Sequence, residues 1–255
     1  MIELDKIYNE DCLEGMKRIP DGSVDAIICD LPYGTTANKW DSIIPLDQLW
    51  VQYKRIIKKN GVIALFSQQP FTSALVMSNP SMFKYEWIWE KEQGTGFLNA
   101  NYAPMKIHEN ICIFSFGAAA PTNNTENRIV YNPQYTKGAP YKHKQMGGVI
   151  SPNYSSVGAY VNINEGTRHP IDIIKFQRDS DSFHPTQKPV DLLRYLIRTY
   201  SSEGDTILDN CMGSGTTAVA CIREKRHFIG FELNKEYFDK ACKRIDAERR
   251  QLTLF

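Results

Sequence analysis

Two stretches of the chain hold residues whose types and spacing suit chemistry. The first, Val24-Asp-Ala-Ile-Ile-Cys-Asp-Leu-Pro-Tyr-Gly34, is an apolar run that ends in a carboxylate, a proline and an aromatic ring. If the run is a strand, Asp30, Leu31, Pro32 and Tyr33 lie at its carboxyl end, where open α/β sheets hold ligands. Asp30 supplies an anionic acceptor. Pro32 stiffens the turn and leaves nearby carbonyls without local partners, and Tyr33 offers a flat face for stacking. A strand-ending turn punctuated by Pro and Gly has the same appearance, so this segment alone leaves both readings open.

The second stretch is Asp205-Thr-Ile-Leu-Asp-Asn-Cys-Met-Gly-Ser-Gly-Thr-Thr-Ala218. A short apolar strand runs into a glycine pair and then a helix. Gly213 and Gly215 permit a tight turn and close approach of a ligand to the backbone. At the end of the next strand, His227-Phe-Ile-Gly-Phe231, stands Glu232. A carboxylate there can accept both hydroxyls of a ribose, which makes the unit a candidate adenosine site. Taken alone, Gly213-Ser-Gly215-Thr-Thr-Ala218 also fits the dinucleotide pattern GxGxxG/A. Two features turn it away from NAD. Asp209 precedes the glycines in a position suited to an amino-acid ammonium or to a solvated turn, and the motif lies so late that most of the sheet must come before it.

The elements that must position these residues alternate in type, which predicts an α/β fold with a largely parallel sheet covered by helices. Strands are expected at Leu4–Tyr8, Val24–Cys29, Val62–Phe66, Glu86–Trp89, Ile111–Phe116, Thr206–Leu208 and His227–Phe231. Helical periodicity marks Leu46–Ile57, Val190–Tyr200, Thr216–Glu224 and Glu236–Arg249. Pro45 and Pro189 precede the first two of these helices, at natural helix starts. Residues 118–183 differ: they are rich in Asn, Tyr, Gly, Ser and Pro, with turn signals and no sustained period. Their many tyrosines argue against simple disorder. The stretch reads as an inserted, substrate-contacting region between catalytic segments 1–117 and 184–255.

Composition narrows the function classes. Lys and Arg number 30 and Asp and Glu 29, a net charge of +1 that excludes a strongly basic nucleic-acid wrapper but not one local basic face. The six cysteines form no CxxC pair and no zinc spacing, so no metal site is expected and a reducing, cytoplasmic compartment is. No apolar run approaches the ~20 residues of a membrane span.

The two stretches together resemble the amino-methyltransferases of DNA, whose hallmark tetrapeptide is [Asp/Asn/Ser]-Pro-Pro-[Tyr/Phe/Trp]. Here it reads Asp30-Leu31-Pro32-Tyr33, followed by Gly34 and the Trp40-Asp41 pair. His184-Pro-Thr-Gln-Lys-Pro189 looks like the segment that precedes the cofactor motif in that family. Asn9-Glu-Asp11-Cys12 looks like its N-terminal acidic segment, and Glu86-Trp-Ile-Trp89-Glu-Lys91 like a later strand. The order (catalytic motif, insertion, cofactor motif) resembles the circularly permuted β group. Leu31 departs from the usual Pro. The resemblance implies that this position contributes its carbonyl, which Leu also has.

The resemblance implies a mixed, mostly parallel seven-stranded Rossmann-like sheet with an inserted target-recognition region. It also implies S-adenosylmethionine as cofactor, DNA as partner and base flipping to expose the target. Asp30 and the Leu31 carbonyl would bind the two hydrogens of an exocyclic amine, and Tyr33 would stack on the base. Asp30 at the first motif position resembles adenine-N6 enzymes more than cytosine-N4 enzymes, which mostly carry Ser there; cytosine N4 is the alternative. No cysteine follows a proline, which disfavours carbon-5 chemistry. For the cofactor, the resemblance places Glu232 on the ribose, Asp11 and Cys12 around the adenine, and Asp30 beside the donor. It assigns the methionine end to Lys188 and the turn that contains Asp209, Cys211, Gly213, Gly215, Thr216 and Thr217. Asp11 and Lys188 also read as ordinary solvated charges.

Two further expectations concern partners. Between Pro121 and Lys188, eight Lys/Arg stand against five Asp/Glu, interleaved with Tyr and Asn as phosphate and base-edge contacts require. A solvated loop surface would look much the same. The C-terminal Gln251-Leu-Thr-Leu-Phe255 looks like the peptide with which bacterial DNA-processing proteins dock on the sliding clamp, although packing onto its own domain is the simpler role. A monomer and a homodimer are both compatible with the chain.

Overall fold

The computed structural model describes residues 2–34, 42–121, 125–145, 159–180 and 186–252. Trp40, Asp41, Tyr154, His184 and residues 253–255 of the expected clamp peptide lie outside the described residues.

The chain forms two compact units: 1–132 with 172–255, and Pro133–Ile171. The first opens with β1 (Lys6–Tyr8), α1 (Cys12–Met16), β2 (Val24–Asp30), α2 (Leu46–Ile56) and β3 (Ile57–Ser67), then α3 (Phe71–Ser78), β4 (Phe83–Thr95) and β5 (Lys106–Phe114). The second unit holds two small antiparallel pairs: β6 (Thr136–Lys137) with β9 (Thr167–Arg168), and β7 (Tyr141–Gln145) with β8 (Tyr160–Asn164). The first unit resumes with β10 (Ile173–Lys175), α4 (Val190–Tyr200), β11 (Thr206–Asp209), α5 (Thr216–Arg223), β12 (His227–Phe231) and α6 (Lys235–Leu252).

The main sheet has the order β1-β12-β11-β2-β3-β5-β4-β10. All neighbours are parallel except β5, which is antiparallel to both β3 and β4. The sheet is therefore mixed and mostly parallel, with eight strands where seven are expected. The additional strand is β10, three residues of which only Ile174 is buried. So short a segment has no period to read, and it pairs as an edge strand through Ile173↔Ile88.

Both faces of the central strands are covered, which is why they read as continuous apolar runs. Val62, Ala64 and Phe66 of β3 face a layer built from Leu192, Leu196, Ala218, Val219 and Ile245 on α4, α5 and α6. Ile63 and Leu65 face Met16, Leu49, Tyr53 and Leu75 on α1, α2 and α3. The short helices α1 and α3 escape periodicity analysis. The first has five residues and owes its start to Asp11, whose Oδ1 accepts from Leu13 N at 2.8 Å and Glu14 N at 3.3 Å. The second, Phe-Thr-Ser-Ala-Leu-Val-Met-Ser, has no clear polar face. Among the described residues, no helix is long and apolar enough to cross a membrane.

Parallel pairing puts Tyr8, Asp30, Ser67, Asp209 and Phe231 at one edge of the sheet, each the last residue of its strand. The reversed strand β5 contributes its opening residues to that edge, since Ser67 pairs with Asn110 and Trp89 with Glu109. Side chains more than 200 positions apart in the chain thus share one rim.

Candidate active site

A cavity of about 860 Å³ opens along this rim. Among the candidates, Asp11, Cys12, Asp30, Leu31, Pro32, Tyr33, Lys188, Asp209, Cys211, Gly213, Thr216, Thr217 and Glu232 all line it. Gly215 does not. It is the N-cap of α5, with φ +77°, and a Cβ there would stand 3.2 Å from Ala241 Cβ. Its role is to let α6 approach the turn.

The Asp30 end of the cavity is an alternating chain of charges. Asp30 Oδ1 accepts the Tyr33 hydroxyl at 2.7 Å, and Asp30 Oδ2 accepts from Lys188 Nζ at 2.6 Å. Lys188 also pairs with Glu109 Oε2 at 3.1 Å, and Glu109 Oε1 pairs with Lys91 Nζ at 2.5 Å. Phe66 lies 5.1 Å from Lys188 Nζ and Trp89 5.8 Å from Lys91 Nζ, measured to the ring centroids. Burial in this apolar setting raises the Asp30 carboxyl above its usual range, with Lys188 opposing the rise and Glu109 adding to it. Burial would also raise Glu109, but Lys188 and Lys91 outweigh it and hold Glu109 low. Burial disfavours the charged form of Lys188, yet Asp30 and Glu109 together keep its pKa above the ordinary value. The Tyr33 hydroxyl is pushed well up by burial and by the anionic Asp30, so it is a hydrogen-bond donor rather than an acid. The Tyr33 ring is stacked on Phe71 at 5.4 Å.

The other end is the glycine turn. Asp209 is buried, with Oδ2 accepting from the Thr217 hydroxyl at 2.5 Å and Oδ1 from Cys211 N at 3.0 Å. Burial lifts its pKa to about 6, against the pull of those two bonds. Arg244 on α6 reaches back to the Thr216 hydroxyl at 2.9 Å and the Ser214 carbonyl at 3.2 Å, pinning the loop. Gly213 has φ +52°, and its N–H donates to Glu232 Oε2 at 2.8 Å; Glu232 Oε1 accepts from Asn234 N at 2.7 Å. Each Glu232 oxygen has a second lone pair available for a hydroxyl donor. Burial raises the Glu232 pKa, partly offset by these amide bonds. A carboxylate at a strand end beside a glycine turn has the chemistry to accept two hydroxyl donors.

The family model described as DNA methylase, of the N6/N4 methyltransferase type, matches residues 24–243.

This chain belongs to the N6/N4 DNA methylase family.

Among curated relatives, the methylase is 27% identical to the Type II methyltransferase M1.MboII of Moraxella bovis, with 94% of this chain and 96% of that protein aligned. It is 26% identical to the DNA adenine methyltransferase YhdJ of Escherichia coli, over 96% and 84% of the two chains. The crystal structure of the M1.HpyAVI–SAM complex superposes with a TM-score of 0.61 at 24% identity, covering 94% of this methylase and 98% of that chain. This likeness supports the Rossmann-like fold.

Several candidate residues are placed differently from their simplest sequence reading. Lys188, expected either near a methionine or in solvent, is buried with its ammonium on Asp30 and Glu109. Asp11 lines the cavity while capping α1. Sequence reasoning missed Glu109, Lys91 and Asn210. Asn210 is buried and takes a hydrogen bond from the Tyr53 hydroxyl at 2.5 Å. The one available signal for the pair was charge within otherwise apolar strands, at Glu90-Lys91 and His108-Glu109.

Proposed function

We propose that the protein transfers a methyl group from S-adenosylmethionine to the N6 amino group of adenine in DNA, acting on a base turned out of the helix. The observation that carries this reading is the single cavity wall shared by Asp30–Tyr33 and by the Asp209–Thr217 turn with Glu232. The residues fit the cofactor: Glu232 has unused lone pairs for a ribose, and Gly213 exposes bare backbone. When bound, S-adenosylmethionine supplies an electrophilic sulfonium methyl.

The chain's own groups do the rest. An exocyclic amine is a weak nucleophile because its lone pair is delocalised into the ring. Asp30 and the Leu31 carbonyl accept its two hydrogens and favour a more tetrahedral nitrogen. As the nitrogen's bond to the methyl forms and the methyl's bond to sulfur breaks, with S-adenosylhomocysteine as the leaving group, Asp30 faces the positive charge that develops on the nitrogen and takes the proton it sheds; positioning contributes much of the acceleration. Asp30, rather than Ser, at the first motif position supports adenine, as does similarity to a relative named as an adenine methyltransferase. The inserted region 118–183 is assigned to target recognition, with Tyr141, Lys142, His143 and Lys144 on β7 as base-edge and phosphate contacts.

Incubation of the protein with labelled cofactor and mixed-sequence DNA, followed by nucleoside digestion, tests the reading. Label in N6-methyladenine is expected. Label only in N4-methylcytosine selects the alternative, and label confined to RNA or protein rejects both.

The Asp209 pKa of about 6 adds a pH dependence. The ionised form favours the cofactor's ammonium, and protonation removes that attraction. Affinity is therefore level above neutrality and falls as pH drops below about 6, by up to tenfold per unit. Calorimetric titration of S-adenosylmethionine between pH 5 and 8, as about the accessible range, measures this. Asp209→Asn should flatten the acid side of the curve.

A further inference from the structure

The alternating row Tyr33–Asp30–Lys188–Glu109–Lys91 contains two members, Glu109 and Lys91, that line the cavity and that the methyl-transfer reading leaves unused. We infer that Glu109 is a positioning residue that holds Lys188 and offsets its charge, so that Asp30 remains a strong acceptor for the amine.

The need for such a group follows from the geometry. Lys188 Nζ stands 2.6 Å from the carboxylate that must face a developing cation. An ammonium alone in that position would drain the acceptor strength of Asp30 and oppose positive charge on the nitrogen. Glu109, 3.1 Å from the same ammonium on another strand, supplies the compensating charge. Lys91 in turn keeps Glu109 ionised, at 2.5 Å, with side chains only 6% and 13% exposed. At this burial little solvent surrounds the pair, so the field of each charge is weakly screened. The groups acting on Asp30 are Lys188, Glu109 and Tyr33, together with Cys29 and Asp209 beneath it; those acting on Glu109 are Lys188 and Lys91. Among the described residues, Glu109 is the carboxylate besides Asp30 itself that contacts Lys188. An opposite role, in which Glu109 merely neutralises Lys91 for packing, predicts no effect on the titration of Asp30.

This inference rests on the methyl-transfer reading, and the two fail separately: a wild-type protein without DNA methylation ends the reading, whereas an active wild type tests Glu109 alone. The experiment is the pH profile of kcat for the wild type, Glu109→Gln and Lys91→Met with saturating DNA and cofactor. In Glu109→Gln the acid limb should move down by about one pH unit, because a nearby like charge that kept Asp30 basic is gone. The plateau kcat should fall roughly three- to tenfold, while KM for S-adenosylmethionine stays within about twofold. Glu109→Asp should recover most of the loss. Lys91→Met leaves Glu109 without the ammonium that keeps it ionised and should therefore move the limb down as well, which keeps the inference testable if Glu109→Gln does not fold. An acid limb that stays put or moves upward in both Glu109→Gln and Lys91→Met overturns it.

Discussion

Replacing Asp30 with Ala is expected to lower kcat by about three orders of magnitude, the scale of losing a preorganised electrostatic partner together with a proton acceptor. The loss should fall on kcat and kcat/KM together, because the interaction strengthens as charge builds on the nitrogen. In the ground state Asp30 is already engaged, by the Tyr33 hydroxyl and by Lys188. The arriving amine uses the remaining lone pairs. Asp30→Asn keeps the shape but removes the charge and replaces one acceptor oxygen with a donor NH2. It should therefore be almost as poor as Ala. Lys188 keeps Glu109 as a partner in either variant, so the fold should survive. Single-turnover methylation with a parallel melting curve separates chemistry from stability. A kcat within about tenfold of wild type would remove Asp30 from the reaction centre.

The second large effect is on binding. Glu232→Ala should weaken S-adenosylmethionine roughly tenfold to a hundredfold, since each hydrogen bond to a charged group contributes about 1.5–3 kcal/mol. The variant also frees the Gly213 and Asn234 amides that the carboxylate now ties together. Part of the loss therefore comes from a looser turn. Glu232→Gln distinguishes the two contributions. Its carbonyl oxygen can satisfy one amide and its NH2 cannot accept, so a turn-only role predicts partial recovery and a ribose role predicts little. Equilibrium dialysis with labelled cofactor measures both, and kcat at saturation should change far less than Kd.

How much of this was legible beforehand depended on locality. Asp30–Tyr33 and Asp209–Thr217 could be read because strand, turn and chemical groups are contiguous, and strand ends in α/β sheets are where ligands lie. The central strands and α2, α4, α5 and α6 could be read from period and length. The strand β10 could not, because a three-residue edge strand is set by its neighbour β4 rather than by its own pattern. The helix α1 depends on one capping carboxylate, Asp11, whose sequence signal is shared with many turns. Lys188 was visible as a residue, but its partner lies 158 positions away, and pairing over that distance is created by the sheet order. Glu109 reaches the rim only because β5 runs against its neighbours. No one-dimensional pattern specifies that reversal. The electrostatic environment of the Asp30 carboxylate is thus a property of topology, while the carboxylate itself is a property of the motif.

The most direct test is a structure of the protein with S-adenosylmethionine bound. The ribose hydroxyls should lie on Glu232, the amino-acid end along the Asp209–Thr217 turn, and the sulfonium methyl should point to the space bounded by Asp30 Oδ and the Leu31 carbonyl. A donor whose methyl faces away from residues 30–33, or whose ribose avoids Glu232, would contradict the account.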